Sequence, residues 1–393
     1  MLNVWRAWAW SWMACVVGST WGRRGSCKGI TKMSELSAEK TQELRELLSR
    51  CEGQRHAVVL QDFPDPDAIS CGFAYAILAD AFGIETELIF GGRVSHQENI
   101  ALINLLDIEL IQIVESSLLN QERFQGAVFV DSQGTTSNLT QPIKDAEIPI
   151  LVVIDHHANQ NFLTPEFFDL RKVGACASIL TSYFMDEMVV LKTTKPEHRR
   201  LATALMHGII SDTGAMIGAA QLDFQAAAFL QPMCDGDMLT EIMHQQRSHR
   251  VMEVIRQALA NRIAREGICL SGVGTIRAED RDAIPQAAEF LLTEETVHTA
   301  IVFGLVTYPD NRESVQGSLR TTKHSLNPDT FLKETLGQSH TGEYYGGGKA
   351  MAGGFEIPLG FLSGADDPEL AAMKWEAYNA KIRKKFFSKI GDD

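Results

Sequence analysis

Carboxylates and imidazoles follow several apolar runs in the first 212 residues of this 393-residue chain. Oxygen and imidazole ligands gathered in one place suit Mn²⁺, Mg²⁺ or Zn²⁺, and the mixture of the two favours manganese. Two such ions about 3.5–4 Å apart would activate water and neutralise a phosphoryl group. The pattern therefore predicts metal-assisted chemistry on phosphate at the acids and histidines that follow these runs, namely Asp65, Asp67, Asp131, Asp155, His156, His157 and Asp212.

Each of these motifs, taken alone, also has a purely structural interpretation. Pro64-Asp65-Pro66-Asp67 is rich in turn-forming residues, and an aspartate that follows a strand, such as Asp131, is a common helix cap. Adjacent histidines are individually unremarkable. The metal-site hypothesis depends on all the acidic patches occurring at strand or helix exits within one domain of about 160 residues.

The elements that must bring these residues together follow an α/β pattern. Strands that are apolar throughout are buried on both faces, as in a parallel sheet covered by helices. In an open sheet of this kind ligands bind at the carboxyl ends of the strands, so the acids and histidines should converge there. The pattern predicts strands at 57–60, 86–90, 109–113, 127–130 and 150–154, with crossover helices at 72–82 and 98–106.

A helical region and then a second β-rich region follow. The helical connector is interrupted by Pro232 and Asp235-Gly236, and the C-terminal helix begins at Asp366-Asp367-Pro368, where carboxylates and proline favour a helix start. Helices are predicted at 175–188 and 197–210, and strands at 268–273, 300–307, 314–319 and 355–357. The predicted domains are residues 33–222, the helical connector 223–264, and residues 265–393.

The first 32 residues differ in composition from the rest of the chain. They contain five of the six tryptophans and five basic residues, but no acid. A signal peptide is one interpretation, although the apolar run Ala7–Val17 is interrupted by Ser11 and is too short to span a bilayer. Because the sequence restarts at Met33 like a soluble N-terminus, we expect residues 1–32 to be a disordered or mis-assigned leader.

Composition limits what the chain can bind. The net charge of −14 argues against general coating of nucleic acid, whereas a small phosphorylated substrate is compatible if metal ions or a local basic patch supply positive charge. Seven scattered cysteines without a CxxC spacing indicate reduced thiols in a cytoplasmic protein. We expect no membrane association and no long duplex substrate, and a homodimer is left open.

Taken in order, the motifs resemble the four motifs of the DHH phosphoesterase superfamily. The resemblance rests on the run FPDPDAIS, on VFVDS with Asp131, on the literal IDHH and on the SDT with Asp212, and it covers roughly residues 55–360. The superfamily includes RecJ-like exonucleases, nano-RNases, cyclic-dinucleotide phosphodiesterases and family II pyrophosphatases. It implies an α/β fold with an N-terminal parallel-sheet DHH domain, flanking helices, a helical connector and a smaller α/β DHH-associated domain.

The same resemblance implies a metal-binding role for five acids and histidines. Asp65 and Asp131 would serve one ion. Asp67, His156 and Asp212 would serve the other together with Asp131, which bridges the two.

The resemblance also implies supporting roles for the remaining residues of these motifs. One residue differs from the family's pattern. Asp155 would orient the cluster and His157 would face the substrate phosphate, so Asp131, Asp155 and His157 are the expected catalytic residues. The first motif usually opens with a metal-ligating histidine, but Gln61 stands there. Its neutral amide oxygen is a weaker metal ligand than imidazole, which predicts an altered first metal site. His96 is a candidate to compensate, with a surface histidine as the alternative.

A glycine-rich run near the C-terminus predicts substrate binding. It is not a Walker loop, because Ala350 replaces the required Ser or Thr. Three glycines also fit a tight turn before the next strand, but they allow backbone N–H groups to approach a phosphate. The run resembles the GGGH signature of the first type of DHH-associated domain, with lysine in place of histidine, and Arg320 resembles that domain's substrate-binding arginine. The expected phosphate-binding residues are Arg320, Gly346, Gly347, Gly348 and Lys349.

Together these features predict a cytoplasmic phosphoesterase with two Mn²⁺ ions, or Mg²⁺ in their place, and an active site between its two domains. Candidate substrates are short single-stranded oligonucleotides, 3′-phosphoadenosine 5′-phosphate and linear or cyclic dinucleotides. One alternative is a nucleotide-binding sensor whose catalysis is blunted by Gln61 and Lys349. Another is an exopolyphosphatase, which would need a longer basic track. The glycine signature argues against a pyrophosphatase, whose second domain lacks it.

Overall fold

The structure is a computed structural model that describes residues 27–94, 96–349, 351–364 and 368–390. Residues 1–26 of the predicted leader and the predicted helix start at Asp366-Asp367 lie outside the described residues. The described chain begins with α1 (Cys27–Ser49), which includes the last residues of the predicted leader. The chain divides into two units, the first with residues up to Val94 and 101–243, the second with residues 95–100 and those from His244 onward.

The first unit contains a six-stranded sheet in which every neighbouring pair of strands is parallel. The strands are β1 (Arg55–Val59), β2 (Glu85–Phe90), β3 (Leu110–Gln112), β4 (Gly126–Val130), β5 (Ile150–Asp155) and β6 (Phe167–Leu170). Their order across the sheet is β3-β2-β1-β4-β5-β6. The parallel sheet predicted from the apolar runs is confirmed, and β6 adds an edge strand that the sequence pattern did not predict.

Both faces of this sheet are covered, as continuous apolar strands require. Val58, Val128 and Val152 pack into one hydrophobic cluster, whereas their neighbours Val59 and Phe129 pack into a second cluster on the opposite face. Alternate residues of a strand point to opposite faces, so the central strands have no polar side to expose. Their polar residues are therefore confined to the strand ends.

The helices of this region begin and end closer to the acidic motifs than the sequence pattern predicted. They are α2 (Pro66–Asp80), α3 (Gln97–Leu106), α4 (Thr140–Asp145), α5 (Cys176–Met185), α6 (Pro196–Asp212), α7 (Gln221–Leu230) and α8 (Gly236–Met243). Helix α2 begins at Pro66 because Asp65 caps it, accepting a hydrogen bond from the Ala68 N–H at 2.9 Å. Asp67 therefore lies in the first turn of α2, and Asp212 is the last residue of α6.

The second unit contains a mixed six-stranded sheet with helices on both faces. Its elements are α9 (His249–Asn261), β7 (Ile263–Arg265), β8 (Ile268–Arg277), α10 (Ala283–Leu291), β9 (Thr299–Thr307), β10 (Glu313–Thr321), α11 (Pro328–Leu336), β11 (Gly346–Gly348), β12 (Ala352–Pro358) and α12 (Pro368–Ile390). The order is β11-β12-β10-β9-β8-β7, and only β8 and β9 pair in parallel. Helices α9 and α10 pack on one face, and α11 and α12 on the other. The predicted α/β fold class is confirmed.

Two predicted elements differ in the structure. The predicted connector is interrupted a second time, at residues 244–248, because Ser248 caps α9 by accepting from the Val251 N–H at 3.3 Å. The predicted glycine loop is a strand, β11, which pairs with β12 through Gly346 and Phe355. Glycine is needed there because a side chain at Gly346 would crowd Phe355.

Among the described residues, none of the helices combines the length and apolarity that a membrane span requires.

Candidate metal centre

Four of the predicted ligands come together in the first unit, beyond the carboxyl ends of β1, β4 and β5. Ligand atoms of Asp67, His156 and Asp212 lie within 4.8 Å of one another. The same is true of Asp131, His156 and their neighbours Asp155 and His157. His156 belongs to both groups, so the two groups form one continuous cluster of carboxylates and imidazoles.

A contact with the Val173 main chain determines the orientation of His156. Its Nδ1 lies 3.2 Å from the carbonyl oxygen of Val173. A carbonyl oxygen only accepts, so Nδ1 carries the hydrogen and the neutral ring has its lone pair on Nε2. Nε2 lies 3.4 Å from Oδ1 of Asp131 and 3.2 Å from Oδ2 of Asp212. In the neutral tautomer, a lone pair therefore faces two carboxylates.

Nε2 of His156 and Oδ1 of Asp131 are buried and have no hydrogen-bond partner among the residues that the structure describes. Buried polar atoms are normally paired, so a positive charge is expected between them. Burial alone lowers the pKa of His156, but the carboxylates of Asp131 and Asp67 outweigh it and raise that pKa to about 10. Either a proton or a divalent cation at Nε2 satisfies this arrangement.

Asp67 is held by the amino-terminal end of α5. Its Oδ2 accepts from the N–H of Cys176 at 2.7 Å, and its Oδ1 accepts from the N–H of Ala177 at 2.8 Å. Burial raises the pKa of Asp67, and the charges of Asp212 and Asp65 raise it further, to about 7. The carboxylates are therefore too crowded to stay fully ionised by themselves, which suits a site for divalent cations.

Asp131 follows β4 with an unusual backbone conformation. Its φ angle is 52°, in the left-handed region that residues other than glycine seldom adopt. Its main-chain N–H donates to the carbonyl of Ile154 at 2.9 Å, which ties the turn to β5. Burial and the charge of Asp67 raise the pKa of Asp131 well above its usual range. A strained, buried carboxylate beside two histidines is typical of a functional site.

Asp155 is fully buried and is surrounded by donors. Its Oδ1 accepts from the N–H groups of His156 and His157 and from Nδ1 of His157 at 2.8 Å. Its Oδ2 accepts from Nε2 of Gln133 at 2.6 Å. Burial raises the pKa of Asp155, but these hydrogen bonds outweigh it and hold the pKa below its usual value. Asp155 therefore positions His157, whose side chain remains 41% exposed.

Several residues that support the cluster could not be recognised from the sequence. Gln133 and the Val173 carbonyl orient Asp155 and His156, as described above. Asp223 is fully buried and accepts from the N–H groups of Gly174 at 2.8 Å and Ala220 at 2.6 Å. It thereby fixes the segment that carries the Val173 carbonyl. Apart from the side-chain amide of Gln133, these contacts use main-chain groups, which leave no signal in residue types.

The other predicted metal-binding residues are less closely tied to the cluster. Asp65 is half-buried, and its charge contributes to the raised pKa values of Asp67 and Asp131. Gln61 lies two residues beyond the end of β1 and is half-buried. His96 is 45% exposed and lies 4.0 Å from Glu98. It is not among the described residues whose ligand atoms converge.

Two of the five predicted phosphate-binding residues of the second unit, Arg320 and Gly348, already donate hydrogen bonds to neighbouring residues. Nε of Arg320 lies 3.0 Å from Oε1 of Glu289, and its Nη1 donates to Oγ of Ser318 at 2.9 Å. The N–H of Gly348 donates to a carboxylate, Oδ1 of Asp329, at 3.2 Å. Gly346 and Gly347 are strand residues of β11, and Lys349 is exposed. A role in substrate binding stays a prediction for all five residues.

No family model matches the chain. Over 324 residues it is 38% identical to an uncharacterized protein of Methanocaldococcus jannaschii, covering 81% of this chain and 61% of that protein. Over 153 residues it is 30% identical to a probable manganese-dependent inorganic pyrophosphatase of Enterococcus faecalis, covering 38% of this chain and 45% of that protein.

One solved structure is similar to this chain over most of its length. An exopolyphosphatase-related protein from Bacteroides fragilis matches with a TM-score of 0.62 and 14% identity, covering 88% of this chain and 96% of that one. At this identity the likeness shows a shared fold. The chain spans less than two thirds of the length of each of the two sequence relatives, at 61% and 45%.

Proposed function

We propose that this chain is a metal-dependent phosphoesterase of the DHH superfamily. The observation that carries the proposal is the pair of buried, unpartnered atoms, Nε2 of His156 and Oδ1 of Asp131. A histidine that donates Nδ1–H to a carbonyl and turns Nε2 toward carboxylates has the arrangement usual for a metal ligand. Asp65, Asp67, Asp131, His156 and Asp212 would hold the metal ions, and Asp131 would serve both of them.

The donor set favours manganese, because it mixes carboxylate oxygens with an imidazole nitrogen, and Mg²⁺ is the alternative. Divalent cations bound there would polarise phosphoryl oxygens and lower the pKa of water. The protein's own contribution is to fix the geometry. Asp155 accepts Nδ1–H of His157 at 2.8 Å, so Nε2 of the exposed ring is available to contact the phosphate or to carry a proton to the leaving oxygen.

A small nucleotide or a short single-stranded oligonucleotide is the proposed substrate. Phe63 is 55% exposed and lies two residues before Asp65, in the loop between β1 and α2. An exposed aromatic ring beside a phosphate site suits base stacking, which inorganic phosphates do not require. The similarity to a pyrophosphatase over 153 residues favours pyrophosphate as the second candidate.

The test is a substrate panel with purified full-length protein in Mn²⁺ and then in Mg²⁺. The panel contains pAp, the dinucleotides ApA and pApA, a cyclic dinucleotide, pyrophosphate and tripolyphosphate. We expect metal-dependent hydrolysis of one of the nucleotides and no hydrolysis in EDTA. Faster hydrolysis of pyrophosphate or tripolyphosphate would replace the proposed substrate class. Nucleotide binding without any hydrolysis would indicate a sensor.

The compartment proposed for this activity is the cytoplasm. The five cysteines whose side chains the structure describes are all free thiols, and three of those, Cys71, Cys176 and Cys269, are completely buried. Reduced thiols are usual in reducing compartments.

A further inference from the structure

Two basic residues of the first unit lie beside the metal centre without serving it. Arg93 follows β2 and Lys172 follows β6, at the sheet edge where the metal ligands gather. Both are exposed, and neither side chain has an ion pair or hydrogen bond to any residue that the structure describes. By contrast, the neighbouring Arg171 is bound to Asp169. Unpaired cations are conspicuous beside an acidic cluster in a chain with a net charge of −14.

Lys172 is anchored next to backbone that positions the metal ligands. The N–H of Val173 donates to the carbonyl of Arg171 at 3.0 Å, so Lys172 is the middle residue of a tight turn. The Val173 carbonyl in turn accepts from His156. In the sheet, Leu170 of β6 pairs with Asp155 of β5. Lys172 and His157 therefore follow this pair by two residues each, on neighbouring strands about 4.8 Å apart.

Arg93 is anchored on the other side of the cluster. Its main-chain N–H donates to the carbonyl of Asp62 at 2.8 Å, three residues before Asp65. The loop after β2 and the loop between β1 and α2 approach so closely that a side chain at Gly92 would overlap the Asp62 carbonyl. Arg93 is therefore fixed against the loop that carries the first acidic motif.

The strand order places the metal ligands between these two cations. Arg93 follows β2, the ligands follow or flank β1, β4 and β5, and Lys172 follows β6. Four strand spacings separate β2 from β6, which is about 19 Å. Divalent cations bound at the proposed metal centre would be the counter-ions of the ligand carboxylates, so Arg93 and Lys172 are available for other negative charges.

We infer that Arg93 and Lys172 bind non-reacting phosphates on the two sides of the reacting one. The preferred substrate is then a short oligonucleotide with a phosphate on one or both flanks, not an ester with a single phosphate. Arginine can bind phosphate through two parallel hydrogen bonds, and lysine binds as a point charge. This inference rests on the proposed function and names the substrate class of the same site.

The experiment compares ApA, pApA and ApAp, which share one scissile diester and differ in a flanking phosphate. A charge-assisted hydrogen bond contributes about 1.5–3 kcal/mol, or about 10–150-fold in kcat/KM. We expect wild-type protein in Mn²⁺ to prefer both phosphorylated dinucleotides. Lys172→Ala should lose the preference for one of them by this factor, and Arg93→Ala the preference for the other. Each variant should change ApA hydrolysis less than about threefold.

Two further variants and a binding measurement complete the design. Lys172→Arg should restore the preference that Lys172→Ala loses. Lys195→Ala is the matched control, because Lys195 is an exposed lysine before α6, and this 17-residue helix places it about 25 Å from Asp212. Equal losses on all three substrates, or no loss on any, would overturn the inference. If no substrate is hydrolysed, the proposed function fails, and calorimetric binding of the same dinucleotides in Mn²⁺ decides the inference separately.

Discussion

Asp155 accepts more hydrogen bonds than an asparagine in its place could accept. Its Oδ1 accepts from two main-chain N–H groups and from Nδ1 of His157, and its Oδ2 accepts from Nε2 of Gln133. Gln133 cannot reverse its amide without loss, because its Oε1 accepts from the N–H of Gln160 at 2.8 Å. In Asp155→Asn, an NH₂ group must therefore face another donor.

The expected cost follows from this geometry. The substitution removes one charge-assisted hydrogen bond and leaves a buried donor unpaired, so the free energy of unfolding should fall by about 2–5 kcal/mol. The oxygens of Asp155 are already used by protein donors, so the residue is not expected to bind metal. The number of Mn²⁺ ions bound should stay the same. The affinity of the protein for Mn²⁺ should fall about 10–100-fold, as is typical when a residue that supports the metal ligands through hydrogen bonds is replaced.

The assay pairs urea denaturation of the metal-free protein with calorimetric titration of Mn²⁺. Asp145→Asn is the control, because Asp145 is an exposed aspartate at the end of α4. It should leave both measurements unchanged. Unchanged stability and affinity in Asp155→Asn would refute the positioning role, and the loss of one bound ion would show that Asp155 is itself a ligand.

Three other predictions follow from the site and its surroundings. The pKa of His156 is raised to about 10 without metal, so Mn²⁺ must displace a proton from this residue. The affinity of the protein for Mn²⁺ should therefore rise about tenfold per pH unit between pH 7 and 9. Titrations in buffers of different ionisation enthalpy should show that release, and heats independent of buffer would contradict it. Arg320→Ala should raise KM about 10–100-fold with little change in kcat; a change confined to kcat would exclude a simple substrate clamp. Gln61→His should tighten one Mn²⁺ site in a calorimetric titration, and equal affinities would mean that Gln61 does not contact the metal.

The central strands could be predicted from the sequence because they are apolar on both faces. Val58 and Val59 pack into clusters on opposite faces of the sheet, and a pattern without polar alternation records that environment directly. The edge strand β6 was missed because half of its residues are only partly buried. The start of α2 was misplaced because Pro64 to Asp67 carry both turn and helix-start signals, and only the Asp65 cap distinguishes them.

For the candidate site, residue types could be predicted but not their partners. Carboxylates and histidines at strand ends are visible in the sequence, since the chemistry depends on their side chains. The contacts of Asp223 with main-chain N–H groups are not visible, because any residue type supplies an N–H. The pairing of Arg320 with Glu289 joins residues 31 positions apart, and it appears only when β10 and α10 pack together.

Asp131 and the residues around it are proposed to form a divalent metal centre that hydrolyses phosphate esters. Asp131→Asn preserves the size of the side chain but removes the charge proposed to lie between the two ions. The most direct test is the rate of pApA hydrolysis by wild-type protein and by this variant in saturating Mn²⁺. A fall of several orders of magnitude is expected, because the attacking water would depend on the proposed metal pair. A variant that keeps more than about a tenth of the wild-type rate would contradict it.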